Sequence, residues 1–251
     1  MFYSKKFKKF KDINHCFFSR NGGLSKGVYR SLNCGNGSKD NKKNIDKNYS
    51  LVAKKIKINR KNLLMMNQTH SNKVIIIDNR NKKFKRFNSD AIITKMKGFT
   101  LGVVTADCVP IILYDAKNQI IGCVHAGWKG AFSGIVENTI KKFKKLNSSN
   151  KIFASIGPCI GKKSYEVDLN FYKKFLFKSK KNSVYFTRKN KYIRLFDLRK
   201  YVGDKLIKLD VIVDHVNHDT FKEKNNFFSY RRSQKFKEKD YGRCISIVGL
   251  I

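Results

Sequence analysis

Proline, tryptophan and acidic side chains are scarce in this chain of 251 residues. It has two prolines and one tryptophan, and only 18 aspartates and glutamates against 55 lysines and arginines. So few prolines, with a hydrophobic fraction of 41%, exclude a collagen-like or proline-rich disordered chain. The chain is long enough to bury a large core, and we expect one domain over residues 1–251.

Paired cysteines and long apolar runs are also missing. No Cys-x-x-Cys pair occurs among the six cysteines, which excludes the common zinc-finger and thioredoxin motifs. The longest apolar stretch, Phe99 to Tyr114, is interrupted by Asp107 and Pro110 and is too short to span a membrane. Lysines interrupt any apolar run near the N-terminus, so we expect no signal peptide, reduced thiols and a cytoplasmic protein.

The net charge of +37 is the strongest compositional signal. Such a charge is typical of proteins that bind nucleic acid or membrane surfaces. Here, however, the lysines are spread in pairs along the whole chain, whereas a polynucleotide site more often clusters arginines and aromatic rings. We therefore expect a solvated basic surface that attracts phosphate-bearing small molecules, with no specific nucleic acid and no membrane as partner.

Apolar runs alternate with turn residues along the chain. Short β-branched runs predict strands at 74–77, 90–94, 101–105, 110–114, 119–125, 152–156, 211–213 and 245–248, and a strand pair near 184–196. Helical spacing predicts helices over 132–143, near 170–178 and after Asp197, which suits an N-cap. The polar segments 79–89 and 147–151 are typical of surface loops. Strands without regular βα alternation predict an α+β fold, a mixed β-sheet core flanked by helices.

Three reactive side chains each follow or lie within an apolar strand. They are His70, Cys108 and His125, and a glycine turn follows the last of them. Two imidazoles and a thiolate are a suitable ligand set for zinc and leave one coordination position open. We expect the three to hold a metal at one end of the sheet, with Asp107 orienting a ligating imidazole or lowering a nearby pKa.

Each of these residues has a more ordinary interpretation when it is taken alone. Cys108 could be a small buried hydrophobe, and His70 could be a surface-loop histidine. The intervals between the three match no standard zinc-finger spacing. A different chemistry also fits, with Cys108 as nucleophile and His125 as base in a cysteine hydrolase or deamidase.

Ten short motifs, in order from near the N-terminus to the C-terminus, resemble those of the laccase-domain family. They are FSRNGG (18–23), SLN (31–33), QTH (68–70), SDA (89–91), TADCVP (105–110), HAGW (125–128), GPCI (157–160), YEV (165–167), FSYRR (228–232) and GR (242–243). Many members carry Cys-Thr near a late strand, where this chain has Asp219-Thr220. Members were once described as polyphenol oxidoreductases and are now described as purine nucleoside phosphorylases with adenosine deaminase activity.

The resemblance implies a single α+β domain similar to the catalytic domain of cytotoxic necrotizing factor toxins. It implies a zinc site, with copper possible, on His70, Cys108 and His125, the same three residues. The implied substrates are adenosine, inosine and methylthioadenosine with phosphate, the products are ribose 1-phosphate (or its methylthio analogue) and free base, and the implied state is a monomer. Copper-dependent phenol oxidation is the alternative in the older name, and five histidines are few for several copper centres.

Five further residues, all of them in the matching motifs, are expected to bind substrate or support the reaction. They are Arg20, Asn33, Gln68, Asp107 and Arg243.

Overall fold

The computed structural model describes residues 1–83, 86–146 and 151–251. The strands in these residues are β1 Ile13–Phe17, β2 Leu63–Asn67, β3 Val74–Ile77, β4 Arg86–Asn88, β5 Ala91–Thr94, β6 Thr100–Thr105, β7 Val109–Asp115, β8 Ile120–Ala126, β9 Ile152–Ile156, β10 Glu166–Asp168, β11 Phe186–Arg188, β12 Ile193–Phe196, β13 Ile212–His215 and β14 Cys244–Leu250. The α-helices are α1 Lys42–Lys55, α2 Trp128–Ser133, α3 Ile135–Lys145, α4 Leu169–Lys178, α5 Leu198–Ile207 and α6 Tyr230–Lys235.

The described strands form two large mixed sheets and one small one. The five-stranded sheet has the order β1-β14-β6-β2-β4, and the six-stranded sheet has the order β13-β9-β7-β8-β5-β3. Both contain parallel and antiparallel neighbours. The small sheet, β10-β12-β11, is antiparallel. The α+β class and the mixed sheets predicted from the sequence are confirmed.

The two large sheets pack face to face, with helices on their outer faces. Leu101 of β6 and Ile112 of β7 lie in one cluster between the sheets. Ile111, the preceding residue of β7, instead packs in a cluster with Phe143 of α3. On the other side, Tyr49 of α1 packs against the five-stranded sheet. This four-layer arrangement covers both faces of β7, which explains why its sequence is an unbroken apolar run.

Two local predictions differ from the structure, and a third lies mostly outside the described residues. The helix predicted over 132–143 is two helices, α2 and α3, because Gly134 between them adopts a left-handed conformation with φ of 99°. The loop predicted at 79–89 contains β4. Of the loop predicted at 147–151, residues 147–150 lie outside the described residues. Asp197 does cap α5, accepting a hydrogen bond from the backbone N–H of Lys200.

Among the described residues, no helix has both the length and the hydropathy required to cross a bilayer.

Candidate active site

The predicted ligand trio meets where the two large sheets come together at one end. His70 lies in the loop after β2, a strand of the five-stranded sheet. Cys108 lies in the turn that leads from β6 of that sheet into β7 of the other. His125 lies near the end of β8, opposite Pro110 of β7. One ligand atom from each of the three residues lies within 4.8 Å of the others.

The geometry of the trio fits a tetrahedral zinc ion. Sγ of Cys108 lies 3.7 Å from Nε2 of His70. In tetrahedral zinc sites, with Zn–S near 2.3 Å and Zn–N near 2.0 Å, a sulfur and a nitrogen ligand are about 3.5 Å apart. His125 is buried, Cys108 is partly exposed and His70 is exposed, so the trio is closed on one side and accessible on the other. An open coordination position is what a catalytic zinc site requires.

Asp90, fully buried just before β5, holds two of the three ligands in place. Its Oδ1 lies 2.8 Å from Nδ1 of His125 and accepts a hydrogen bond from the backbone N–H of His70 at 3.0 Å. Its Oδ2 accepts from the backbone N–H and the hydroxyl of Ser71. The carboxylate therefore fixes a proton on Nδ1 of His125, turns Nε2 towards the metal position, and secures the loop in which His70 has a φ of 60°.

Charge interactions prepare the trio for a cation. Burial would raise the pKa of Asp90, but the hydrogen bonds from His125 and Ser71 outweigh it and lower that pKa. Burial would also raise the pKa of the Cys108 thiol, but the neighbouring His125 outweighs it and lowers the pKa to about 6. Burial lowers the pKa of His125, and its interactions with Cys108 and Asp90 outweigh burial and raise it to about 9. The lowered pKa of Cys108 favours its thiolate, which is the form that binds zinc.

Asp107 does not orient an imidazole, contrary to the sequence-based expectation; Asp90 has that role. The Asp107 carboxylate accepts hydrogen bonds from the hydroxyls of Thr220 (2.7 Å) and Ser229 (2.9 Å), and from the backbone N–H of Arg231 (2.6 Å). Burial raises its pKa. Asp107 therefore ties the turn that carries the cysteine ligand to the C-terminal part of the chain.

Two cavities adjoin the trio. The first, here called the aromatic cavity, has a volume of about 440 Å³ and is lined by Thr69, His70, Ala106, Asp107, Cys108, Trp128, Lys129, Ile160, Tyr165, Leu198, Tyr230, Arg231 and Tyr241. The second, here called the polar cavity, has a volume of about 320 Å³ and is lined by Asn36, Gly37, Met66, Asn67, Gln68, Thr69, His70, Arg86, Val104, Thr105, Ala106, Cys108, His125, Tyr241 and Arg243. Their shared wall contains two of the metal-ligand candidates.

Three of the five predicted substrate residues line these cavities. Asp107 lines the aromatic cavity, whereas Gln68 and Arg243 line the polar cavity. The Gln68 amide is already engaged, because its Nε2 donates to the carbonyl of Val104 and its Oε1 accepts from the Val104 N–H. Gln68 therefore pins the end of β6, and Arg243 is the more available of the two for a ligand.

The structure does not bring Arg20 and Asn33 to either cavity wall. The Arg20 guanidinium donates to three backbone carbonyls, those of Val28, Arg30 and Lys224, and it lines a separate third cavity. Asn33 is fully buried, and its Oδ1 accepts from the backbone N–H of Arg243. Asn33 thereby supports the backbone beneath a cavity arginine.

Sequence reasoning missed Asp90 and Arg86. Asp90 belongs to the SDA motif, and the signal that could have found it is a lone carboxylate directly before an apolar strand. Arg86 fell inside the segment taken for a loop, where nothing in the local pattern distinguishes it from the neighbouring basic residues.

Close packing at Gly127 yields a test of the metal site. A Cβ at this position would lie 2.7 Å from Cδ2 of His70 and 3.0 Å from Sγ of Cys108, although the backbone itself, with φ of −69°, tolerates alanine. We expect Gly127→Ala to displace both ligands and weaken zinc binding by roughly 10-fold or more. Competition with a chromophoric chelator measures the affinity. Gly37→Ala is the control, since its Cβ would meet nothing within 4 Å; equal affinities in the two variants would contradict the geometry.

Comparison with known proteins gives a consistent result. The family model described as multi-copper polyphenol oxidoreductase laccase matches residues 14–251. A Haemophilus influenzae protein named purine nucleoside phosphorylase is 30% identical over 95% of this chain and 94% of its own length. A Rickettsia conorii protein named purine nucleoside phosphorylase RC0672 is 34% identical over 81% of this chain and 88% of its own length.

The fold comparison agrees with the sequence comparison. A Bacillus licheniformis structure, described as hypothetical protein YfiH, has a TM-score of 0.89 at 25% identity and covers 97% of this chain and 95% of that chain. The laccase-domain resemblance seen in the motifs is confirmed: this chain belongs to the family described as multi-copper polyphenol oxidoreductase laccase, in which relatives spanning nearly its full length are named purine nucleoside phosphorylases.

Proposed function

We propose that this protein is a zinc-dependent purine nucleoside phosphorylase. The observation that carries the proposal is the position of the trio at the two cavities. His70 and Cys108 lie in the wall that the aromatic cavity and the polar cavity share, and His125 lines the polar cavity. The names of the relatives support it. We propose adenosine, inosine and methylthioadenosine as substrates, phosphate as co-substrate and the cytoplasm as the compartment.

In the proposed reaction, a phosphate oxygen forms a bond to the anomeric carbon while the bond from that carbon to the purine nitrogen breaks. The base leaves with the electron pair and takes up a proton, and the products are ribose 1-phosphate and the free base. Zinc, when bound, supplies a Lewis acid. The chain positions the nucleoside and phosphate on opposite sides of the shared wall. The rings of the aromatic cavity keep water away from the base. An adenosine deaminase side activity, in which water displaces the C6 amino group, uses the same site.

Phosphorolysis is tested directly by product analysis. Zinc-loaded protein is incubated with adenosine, with and without phosphate, and the products are separated by liquid chromatography. The proposal predicts adenine that forms only with phosphate. If inosine forms independently of phosphate and no adenine forms, the protein is a deaminase and not a phosphorylase. If neither adenine nor inosine forms, the purine assignment is wrong.

Copper-dependent phenol oxidation is the reaction in the family description. Two imidazoles and a thiolate can also bind copper. Multi-copper chemistry needs several metal centres, whereas residues 1–83, 86–146 and 151–251 contain a single cluster of three such ligands. The single cluster therefore argues against a multi-copper centre, and metal analysis of the purified protein distinguishes zinc from copper.

The second candidate function is a cysteine hydrolase, favoured by the thiolate of Cys108 beside two imidazoles. If Cys108 binds zinc, iodoacetamide should label it slowly in zinc-loaded protein and quickly after chelation. Because a pKa of about 6 leaves the thiol mostly ionised above that pH, labelling of the metal-free protein should already be fast at pH 7 and slow below pH 6. The other five cysteines are buried, so one label per chain is expected. Rapid labelling with zinc bound would favour the hydrolase.

A further inference from the structure

We infer that the two cavities divide the substrates, so that Arg86 and Arg243 hold phosphate in the polar cavity while the aromatic cavity holds the base. This inference rests on the proposed function, because it assigns the two reactants of that reaction to separate places. It adds Arg86 to the candidate site and assigns phosphate binding to Arg243.

Arg243 carries the first argument. Its Nη2 donates to the hydroxyl of Tyr241 at 3.1 Å, and its guanidinium carbon lies 4.5 Å from the centre of the Tyr241 ring. Its Nη1 is buried and has no hydrogen-bond partner among the described residues. A buried guanidinium N–H without an acceptor is rare in folded proteins and requires an explanation. Arg243 also lines the polar cavity, so an anion bound there would meet its positive charge.

The charge of the polar cavity carries the second argument. Its lining includes the guanidinium groups of Arg86 and Arg243 and, among the described residues, no aspartate or glutamate. Arg86 is held against the ring of Tyr49, 5.7 Å from its centre, and the Tyr49 hydroxyl donates to the carbonyl of Cys34. Each guanidinium group offers a fork of N–H donors that matches phosphate oxygens, so both arginines suit a phosphate bound in this cavity.

The aromatic cavity differs from the polar cavity in its aromatic rings and in its carboxylate, although it also has two cationic side chains, Lys129 and Arg231. Its walls include the rings of Trp128, Tyr165, Tyr230 and Tyr241, which suit the flat face of a purine. Its arginine, Arg231, stacks on Tyr165 at 5.2 Å and donates through Nη1 to the carbonyl of Glu166. A buried carboxylate, Asp107, also lines this cavity and disfavours an anion there.

The shared wall connects the two assignments. His70, Cys108 and Tyr241 line both cavities. A nucleoside with its base in the aromatic cavity therefore presents its sugar to this wall, and phosphate on the other side faces the same atoms. The bond to be broken then lies beside the metal-ligand candidates.

The test uses Arg243→Gln and Arg86→Gln, with Arg188→Gln, an exposed arginine of β11, as control. Binding of inorganic phosphate is measured by calorimetry on metal-free and zinc-loaded protein at physiological salt, where exposed lysines contribute little. We expect each cavity variant to weaken phosphate binding about tenfold, the loss of one charge-assisted interaction, with the same rise in KM for phosphate and less than a twofold change in KM for adenosine. The control should match the wild type.

The outcomes separate this inference from the proposed function. If phosphate binding depends on both arginines but wild-type protein forms no adenine, the subsite assignment stands and the phosphorylase assignment fails. If wild-type protein performs phosphorolysis and both variants keep normal phosphate binding, the subsite assignment is wrong. If Arg243→Gln fails to fold, Arg86→Gln and the charge-preserving Arg243→Lys decide, and normal phosphate binding in Arg86→Gln would overturn the inference.

Discussion

The Cys108→Ala variant should lose both zinc and turnover. The thiolate is one of only three ligands in the cluster, and its negative charge raises the pKa of His125 and would attract the cation. Loss of a ligand should cost more than the roughly 10–100-fold in affinity typical of losing a supporting contact. Metal analysis after gel filtration measures the zinc, and chromatography of adenosine products measures the turnover.

A buried cysteine outside the trio provides the control for this variant. Cys123 lies on β8, two residues before His125, and its side chain packs between the two large sheets. Cys123→Ala should lower the stability by about 1 kcal/mol through a small cavity and keep one zinc per chain. A Cys108→Ala variant that keeps one zinc per chain and wild-type activity would contradict the metal assignment.

The Asp90→Asn variant should have the second largest effect. The amide keeps one acceptor oxygen, but its NH₂ group must face either the donors on Oδ1, from His125 and the backbone of His70, or the donors on Oδ2, from Ser71. We expect zinc affinity to fall by roughly 10–100-fold and the free energy of unfolding to fall by about 1–3 kcal/mol. Chelator competition and urea unfolding measure the two effects.

Asp78→Asn is the control for the carboxylate, because Asp78 pairs with Arg80 at the surface and such pairs contribute little to stability. Zinc affinity should be unchanged in that variant. If Asp90→Asn unfolds at the same urea concentration as the wild type and binds zinc equally well, then the buried carboxylate does not position the ligands, and the account of the site is wrong.

The convergence of His70, Cys108 and His125 was predictable because of where they lie along the chain. His70, Cys108 and His125 each follow or end an apolar strand, and strand ends from a common core tend to meet at one edge. Predicted strands lie directly before Cys108 and around His125, whereas β2, the strand before His70, was not among the predicted strands. The sequence alone could not assign a metal, because one thiolate and two imidazoles suit either zinc or copper.

The partition into two sheets was not predictable from local pattern. β14, the last strand, inserts between β1 and β6, and this pairing depends on contacts across almost the whole chain. The apolar runs of β7 and β8 predict buried strands, but they do not say which strands lie beside them. The predicted likeness to the toxin domain stays a prediction, as do the monomeric state and the absence of a specific nucleic-acid partner; salt dependence of DNA binding tests the last.

The supporting residues were the least predictable part of the site. Asp107 directly precedes Cys108 in sequence and has a left-handed φ of 84°. Its carboxylate accepts hydrogen bonds from Thr220 and Ser229 and not from an imidazole of the trio. Asp90 lies 35 residues from His125 and is bonded to its ring. Neighbours in sequence are thus not neighbours at the metal, because the strand register decides which carboxylate reaches the imidazole.

The dependence of phosphorolysis on zinc is the central claim, and a titration tests it most directly. The metal is removed with a chelator, zinc is returned in steps, and phosphate-dependent release of adenine from adenosine is measured at each step. The account predicts no release without zinc and a linear rise that stops at one equivalent per chain. Full activity in metal-free protein, or no activity at any zinc loading, would contradict it.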